Sequence, residues 1–136
     1  MIIQGVNIWA AITGSLISFI VSFVWYMILF RAPYIEGLGK TAEQLAKGPS
    51  MLVASVLQLI GYLVTAVVLA WLMKRTGLQS VSQGLLLAVV VWGGFVAAVL
   101  GPFYAFEAFS LNFFFITAGN VLVSLLIMGA IFGSWK

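Results

Sequence analysis

Neutral polar side chains recur within long apolar stretches of this 136-residue chain, and their types allow them to bind a solute or another helix. In chain order they are Ser22, Ser55, Gln58, Tyr62, Thr65, Thr117, Asn120 and Ser124. The spacings from residues 55 to 65 and from 117 to 124 place each set on one face of a helix. Similar depths predict one polar layer, the polar seam, which would either line a cavity for a small molecule or ion or tie helices together.

Acid–base and metal chemistry have few residues to draw on. The chain contains no histidine and no cysteine, and its three acidic residues are Glu36, Glu43 and Glu107. Such a set cannot form a Ser–His–Asp triad, a paired-aspartate protease site or a zinc motif. Glu107 could act as a base but has no second group to work with. We therefore expect no catalytic residue, no metal and no cofactor, and a protein that is not an enzyme.

The elements that position the polar seam must be membrane-spanning helices. Hydrophobic residues make up 64% of the chain and charged residues 7%, and mean hydropathy is +1.22. A soluble domain carries about 25% charged residues, so this chain cannot cover a globule with polar surface. Four uncharged stretches each exceed the ~20 residues that a span needs, and lipid requires them to be helical. We predict an all-α protein in contact with the lipid bilayer, with spans at 7–30, 49–73, 82–104 and 111–134.

The segment from Arg31 to Lys47 differs from the spans, since it holds five of the nine charged residues. Thr41 and Gln44 have the spacing of a capping box, which predicts a short interfacial helix from Ala42 to Lys47. The other loops are short, so sequential helices are expected to be antiparallel neighbours. The chain is predicted to form a single domain, 1–136, with the architecture of an up-down four-helix bundle.

Small residues recur at spacings typical of helix contacts. The candidate helix-packing residues are Gly14, Ser18, Gly93, Gly101, Gly129 and Gly133. Small residues let two helix backbones approach closely in a membrane. The Gly129-xxx-Gly133 pattern predicts a homo-oligomer, most simply a symmetric dimer.

The charges outside the spans do not fix the orientation. Arg31, Lys40 and Lys47 lie on one side of the predicted bundle, and Lys74, Arg75 and Lys136 lie on the other. The positive-inside rule therefore returns a tie, and both a single orientation and dual topology stay open. Arg31 and Glu107 are expected on the same side, as a candidate interfacial ion pair. The net charge of +3 is too diffuse to indicate nucleic-acid binding.

Several segments resemble a family of small four-span prokaryotic membrane proteins known as domain of unknown function 1761. They are Trp25-Tyr26, Gly37 to Thr41 followed by Glu43, Lys47 and Gly48, Ile116 to Gly119, and Leu126 to Trp135. The resemblance covers most of the chain and implies a four-helix fold with no established activity. Family members often have Ser-Pro after the Trp-Tyr pair, where this chain has Met27-Ile28. They often have Tyr-His after the last-span glycine, where this chain has Asn120-Val121.

Three functions compete. The favoured hypothesis is an oligomeric, non-enzymatic bundle that handles a small molecule or ion through the polar seam. The alternative is a structural or accessory subunit that docks another membrane protein. A minor alternative is a transporter like the small multidrug resistance proteins, although the first span lacks the embedded glutamate that such exporters use. The resemblance places the protein in a prokaryotic cytoplasmic membrane.

Overall fold

The computed structural model describes residues 2–3 and 5–135, so Lys136, which entered the charge comparison, lies outside the described residues. In the described part, four helices are long and apolar enough to cross a membrane: Ile8–Leu29, Met51–Thr76, Val81–Phe106 and Leu111–Ser134. We call them the first to fourth spans. Their ends agree with the predicted ranges to within three residues. The prediction of an all-α integral membrane protein with four spans is confirmed.

The elements follow one another with short connections. Two antiparallel strands, β1 (Ile2–Ile3) and β2 (Val6–Asn7), precede the first span. That span consists of α1 (Ile8–Val24) and a π-helical turn (Trp25–Leu29), and α2 (Arg31–Leu38) and α3 (Ala42–Ala46) follow it. The second span is α4 (Met51–Thr76), and the fourth is α7 (Leu111–Ser134). The third comprises α5 (Val81–Val91), a second π-helical turn (Trp92–Ala97) and α6 (Ala98–Phe106).

Polar caps determine where the spans begin. The N-cap residues are Asn7, Ser50, Ser80 and Ser110, and the side chain of each accepts a hydrogen bond from a first-turn amide. These bonds satisfy amides that have no partner within the helix. The second span continues three residues beyond its predicted end because Gly77 ends it in the left-handed conformation, with φ 74°.

The connection between the first two spans contains two helices, of which the sequence predicted one. Helix α3 confirms the short predicted helix and its capping box. Thr41 Oγ1 accepts a hydrogen bond from the backbone N–H of Gln44 at 3.1 Å, and Gln44 Oε1 accepts one from the backbone N–H of Thr41 at 2.9 Å. Helix α2 was not predicted. Its Gly37 is buried against Phe113, and its Tyr34 ring stacks on Phe113 at 5.6 Å, where burial raises the pKa of the Tyr34 hydroxyl. Contact with α7 therefore stabilises α2.

The fourth span lies at the centre of the packing. It contacts each of the other three spans, and the first span packs between it and the second. Among the described residues, the second and third spans have no extensive contact with each other. The arrangement therefore differs from a ring of four helices, in which the second and third spans would also be adjacent.

The third and fourth spans meet backbone to backbone. A Cβ atom on Gly84 would overlap the carbonyl of Gly129, and a Cβ on Gly133 would overlap the carbonyl of Ser80. The Gly129-xxx-Gly133 pattern therefore packs inside the chain, and the prediction that it mediates self-association is wrong. The physical reason is that α5 already occupies the groove that these glycines open.

This contact predicts that Gly129→Ala destabilises the fold. The added methyl group must displace backbone, and overpacking of this kind costs about 1–3 kcal/mol. Gly94→Ala is the matched control, because a Cβ there meets nothing within 4 Å. The measurement is the free energy of unfolding in mixed detergent micelles. Equal stabilities of the two variants would contradict the contact.

Candidate functional site

Three spans bring four polar side chains together inside the bundle. Ser22 comes from the first span, Tyr62 from the second, and Asn120 and Ser124 from the fourth. Each is buried, with at most 5% of its surface exposed. We call these four residues the polar cluster. They are the part of the predicted seam that the fold assembles.

The hydrogen bonds of the polar cluster have a defined direction. Ser22 Oγ donates to Asn120 Oδ1 at 3.0 Å, and Ser124 Oγ donates to Tyr62 Oη at 3.2 Å. Asn120 Nδ2 donates to Tyr62 Oη at 3.1 Å. Ser22 Oγ and Tyr62 Oη are also hydrogen-bonded. Because each hydroxyl has one proton and Ser22 has already donated its own, Tyr62 must donate to Ser22.

The result is a closed cycle of three side chains, running from Tyr62 to Ser22, then to Asn120 and back to Tyr62. The Tyr62 hydroxyl donates one bond and accepts two, which uses its full capacity. Bonds in such a cycle polarise one another, and a low dielectric strengthens each of them. The polar cluster therefore ties the first, second and fourth spans together with neutral groups.

The rest of the predicted seam does not join the polar cluster. Ser55 and Thr65 are half-buried, and Gln58 is exposed on the surface of the chain. The prediction that Gln58 shares one polar layer with the other seam residues is wrong for the single chain. The reason is that every residue of α4 from Met51 to Gly61 is exposed except the half-buried Ser55. The buried residues of α4 begin at Tyr62, so the second half of the helix packs on the bundle.

Two hydroxyls lie buried without a partner. Thr117 Oγ1 and Ser18 Oγ make no hydrogen bond among the described residues. Thr117 lies one helical turn before Asn120 in α7, and Ser18 lies one turn before Ser22 in α1. They extend the line of polar atoms beyond the polar cluster in both helices without adding bonds to it.

Two tryptophans hold the fourth span from its two sides. Trp25 Nε1 donates to the Ile116 carbonyl at 3.0 Å, and Trp92 Nε1 donates to the Ala118 carbonyl at 2.8 Å. Each tryptophan is the first residue of a π-helical turn. The sequence offered one signal for this arrangement: Trp92 lies deep in its span, where an indole N–H needs a partner. It gave no indication that both indoles bind the fourth span.

The remaining candidate residues divide between interior and surface. Gly14 is buried, and a Cβ there would lie 3.5 Å from the Met128 side chain, while Ser18 is fully buried. Gly93 is exposed and Gly101 is half-buried, and a Cβ on either would meet nothing within 4 Å. The third span therefore presents these two glycines to its surroundings, and not to another helix of the chain.

The predicted ion pair between Arg31 and Glu107 is not formed. Both residues are exposed, and no salt bridge joins them among the described residues. Arg31 lies in the first turn of α2, and Glu107 ends α6. An exposed pair is worth only about 0–1 kcal/mol, which does not hold two long side chains together.

A partly enclosed cleft lies away from the polar cluster. It has a volume of about 130 Å³ and lies between β2 and the ends of the second and fourth spans, where Asn7, Met73, Lys74 and Phe132 line it. None of the four polar-cluster residues lines this cleft. The polar cluster is therefore suited chemically to holding helices together, since its donors and acceptors bind one another.

The cycle predicts that Tyr62→Phe destabilises the protein by about 1–2 kcal/mol. The change removes one donor and leaves Asn120 and Ser124 without their acceptor, and hydrogen bonds between membrane helices contribute about 0.6–2 kcal/mol each. Tyr104→Phe is the control, because the Tyr104 hydroxyl makes no hydrogen bond among the residues described. Unfolding free energies in mixed micelles compare the two. No difference between them would exclude the cycle.

Comparison with known protein families gives a match. The family model described as "Protein of unknown function (DUF1761)" matches residues 9–133. No curated protein and no solved structure matches the chain. The matched range contains the polar cluster, both tryptophans that hold the fourth span, and the glycines between the third and fourth spans. The match covers nearly the whole chain and confirms the predicted resemblance: the chain belongs to the DUF1761 family.

Proposed function

We propose that this chain is a non-enzymatic membrane subunit that docks other membrane helices on its exposed faces, in a prokaryotic cytoplasmic membrane. The closed hydrogen-bond cycle of Tyr62, Ser22 and Asn120 carries the proposal. A solute path needs donors and acceptors that are free to exchange partners, whereas a docking subunit needs a rigid body. Side chains that bind one another across three spans supply rigidity.

The exposed faces support the same function. In the most hydrophobic part of the third span, 11% of the residues are buried. The corresponding share in the fourth span is 39%. Gly93 and Gly94 are exposed within the third span, and a Cβ on either would meet nothing within 4 Å. A glycine in a helix costs about 1 kcal/mol relative to alanine. Close approach of a further helix would compensate for that cost.

A photo-cross-linking residue at Phe95 tests docking in native membranes. Phe95 is 76% exposed on the third span, and we expect a discrete protein adduct there. The control position is Phe113 in the fourth span, which already holds a phenyl ring, is 8% exposed and should give none. Adducts with lipid alone at Phe95 would overturn the proposal.

Handling of a small molecule or ion is the second candidate function. The buried hydroxyls of Ser18 and Thr117 favour it, because neither makes a hydrogen bond among the described residues and a water or solute could bind either of them beside the polar cluster. Flux of Na⁺, K⁺ or H⁺ into vesicles containing the purified protein separates the two functions. We expect no flux above that of empty vesicles. Flux that Asn120→Leu abolishes would favour the second candidate over docking.

A further inference from the structure

The first half of α4 is hardly covered by any other part of the chain that the structure describes. From Met51 to Gly61 its residues are exposed on every side, apart from the half-buried Ser55. Leu52 is 75% exposed, Leu57 60% and Ile60 53%. Such exposure is ordinary for apolar side chains in lipid. It is not ordinary for Gln58, a carboxamide in the middle of this segment.

Gln58 lies within the hydrocarbon region. Helix α4 has 26 residues and is therefore about 39 Å long, whereas the hydrocarbon core is ~30 Å thick. Gln58 lies seven residues after Met51, or about 10 Å along the helix. With α4 centred in the bilayer, the residue lies about 6 Å inside the hydrocarbon boundary.

The chain offers this amide no hydrogen-bond partner among the described residues. A carboxamide has two N–H donors and one acceptor oxygen, and lipid tails supply neither donors nor acceptors. The backbone groups around Gln58 are engaged within a continuous helix. The missing partner must therefore come from another molecule.

We propose that Gln58 pairs with Gln58 of a second copy, in a parallel dimer formed by the first halves of the two α4 helices. This inference rests on the proposed docking function and names one partner, a second copy, at a different face from the third span. A carboxamide is self-complementary, because each group can donate one N–H to the oxygen of the other. In a parallel helix pair related by a two-fold axis between the helices, a residue that faces the axis lies near its own counterpart, so two identical amides there satisfy each other.

The residues around Gln58 allow the approach that this pairing needs. Ala54 lies one turn before it and Gly61 nearly one turn after it, and both are exposed. A Cβ on Gly61 would meet nothing within 4 Å. Small residues on both sides of a polar residue let two helix backbones come close enough for the amides to bond.

The position of Gln58 also determines the relative orientation of the copies. In a parallel pair both amides lie at the same depth. In an antiparallel pair of aligned helices, Gln58 would lie opposite Leu69, which is 3% exposed and packed inside its own chain. Reciprocal pairing therefore requires the two copies of one dimer to insert in the same orientation.

Disulfide formation between single cysteines tests the geometry, because the natural chain contains no cysteine. In lipid vesicles Ala54→Cys should form a dimeric disulfide. Val99→Cys should not, although Val99 is 61% exposed on the third span. Equal cross-linking at both positions, or none at Ala54→Cys, would overturn the proposal.

Association strength tests the amide itself. The dimerisation constant of the full chain in vesicles, measured by energy transfer between labelled copies, should fall roughly 3- to 20-fold for Gln58→Leu. Gln58→Asn, which keeps the carboxamide, should restore part of that loss. The thermal stability of Gln58→Leu should equal that of the natural chain, whereas Tyr62→Phe should lose stability and keep dimerisation.

The outcomes separate this inference from the proposed function. Undiminished association of Gln58→Leu would show that the amide reaches interfacial water or another group, and would overturn the pairing. Protein adducts at Phe95 that persist in that case would leave the docking function standing. Loss of both the dimer and the Phe95 adducts would remove the inference and the function together.

Discussion

Lipid supplies no hydrogen bonds, and this one property of the surroundings explains most of the structure. Every polar group between the two interfaces must find its partner in protein or remain unsatisfied. The spans meet the requirement at their starts with side-chain caps such as Ser50 and Ser110. Inside the bundle, Tyr62 and Asn120 meet it by bonding to each other and to serines of two spans. These groups are buried because lipid offers them no partner, and their hydrogen bonds to one another join the helices.

The central place of the fourth span has a backbone explanation as well. Its Gly129 and Gly133 carry no side chain that would keep the third span away, so Gly84 of α5 lies against the Gly129 carbonyl and Gly133 lies against the Ser80 carbonyl. On the other side Trp25 uses its indole N–H to bind a carbonyl of the same helix. The carbonyl that accepts this bond already accepts a backbone hydrogen bond within α7, so it accepts a second one from another span. Close packing and hydrogen bonding act on one element, and the other spans are positioned relative to it.

The sequence predicts those features that depend on a residue and its solvent alone. Uncharged stretches give the four spans, and the Thr41–Gln44 capping box gives α3, because lipid and helix ends impose local rules. The family follows from short segments that are specific in themselves. Helix α2 escapes prediction because its stability comes from contact of Gly37 and Tyr34 with α7. Likewise, Gly129 indicates close packing, but its spacing does not say whether the other helix belongs to the same chain.

Gln58 and Asn120 show the limit of pattern most clearly, since both are carboxamides on polar helix faces. Asn120 lies where three spans converge, and two of its bonds reach other spans. Gln58 lies on the same face of α4 as Tyr62, but one turn nearer the helix start, where α4 has left the bundle. Helical periodicity predicts which face of a helix a residue occupies. It does not predict how far along that helix the neighbouring helices extend. The polar groups of the cluster find their hydrogen-bond partners inside the chain, whereas the Gln58 amide finds none among the described residues. A second polypeptide can supply its partner.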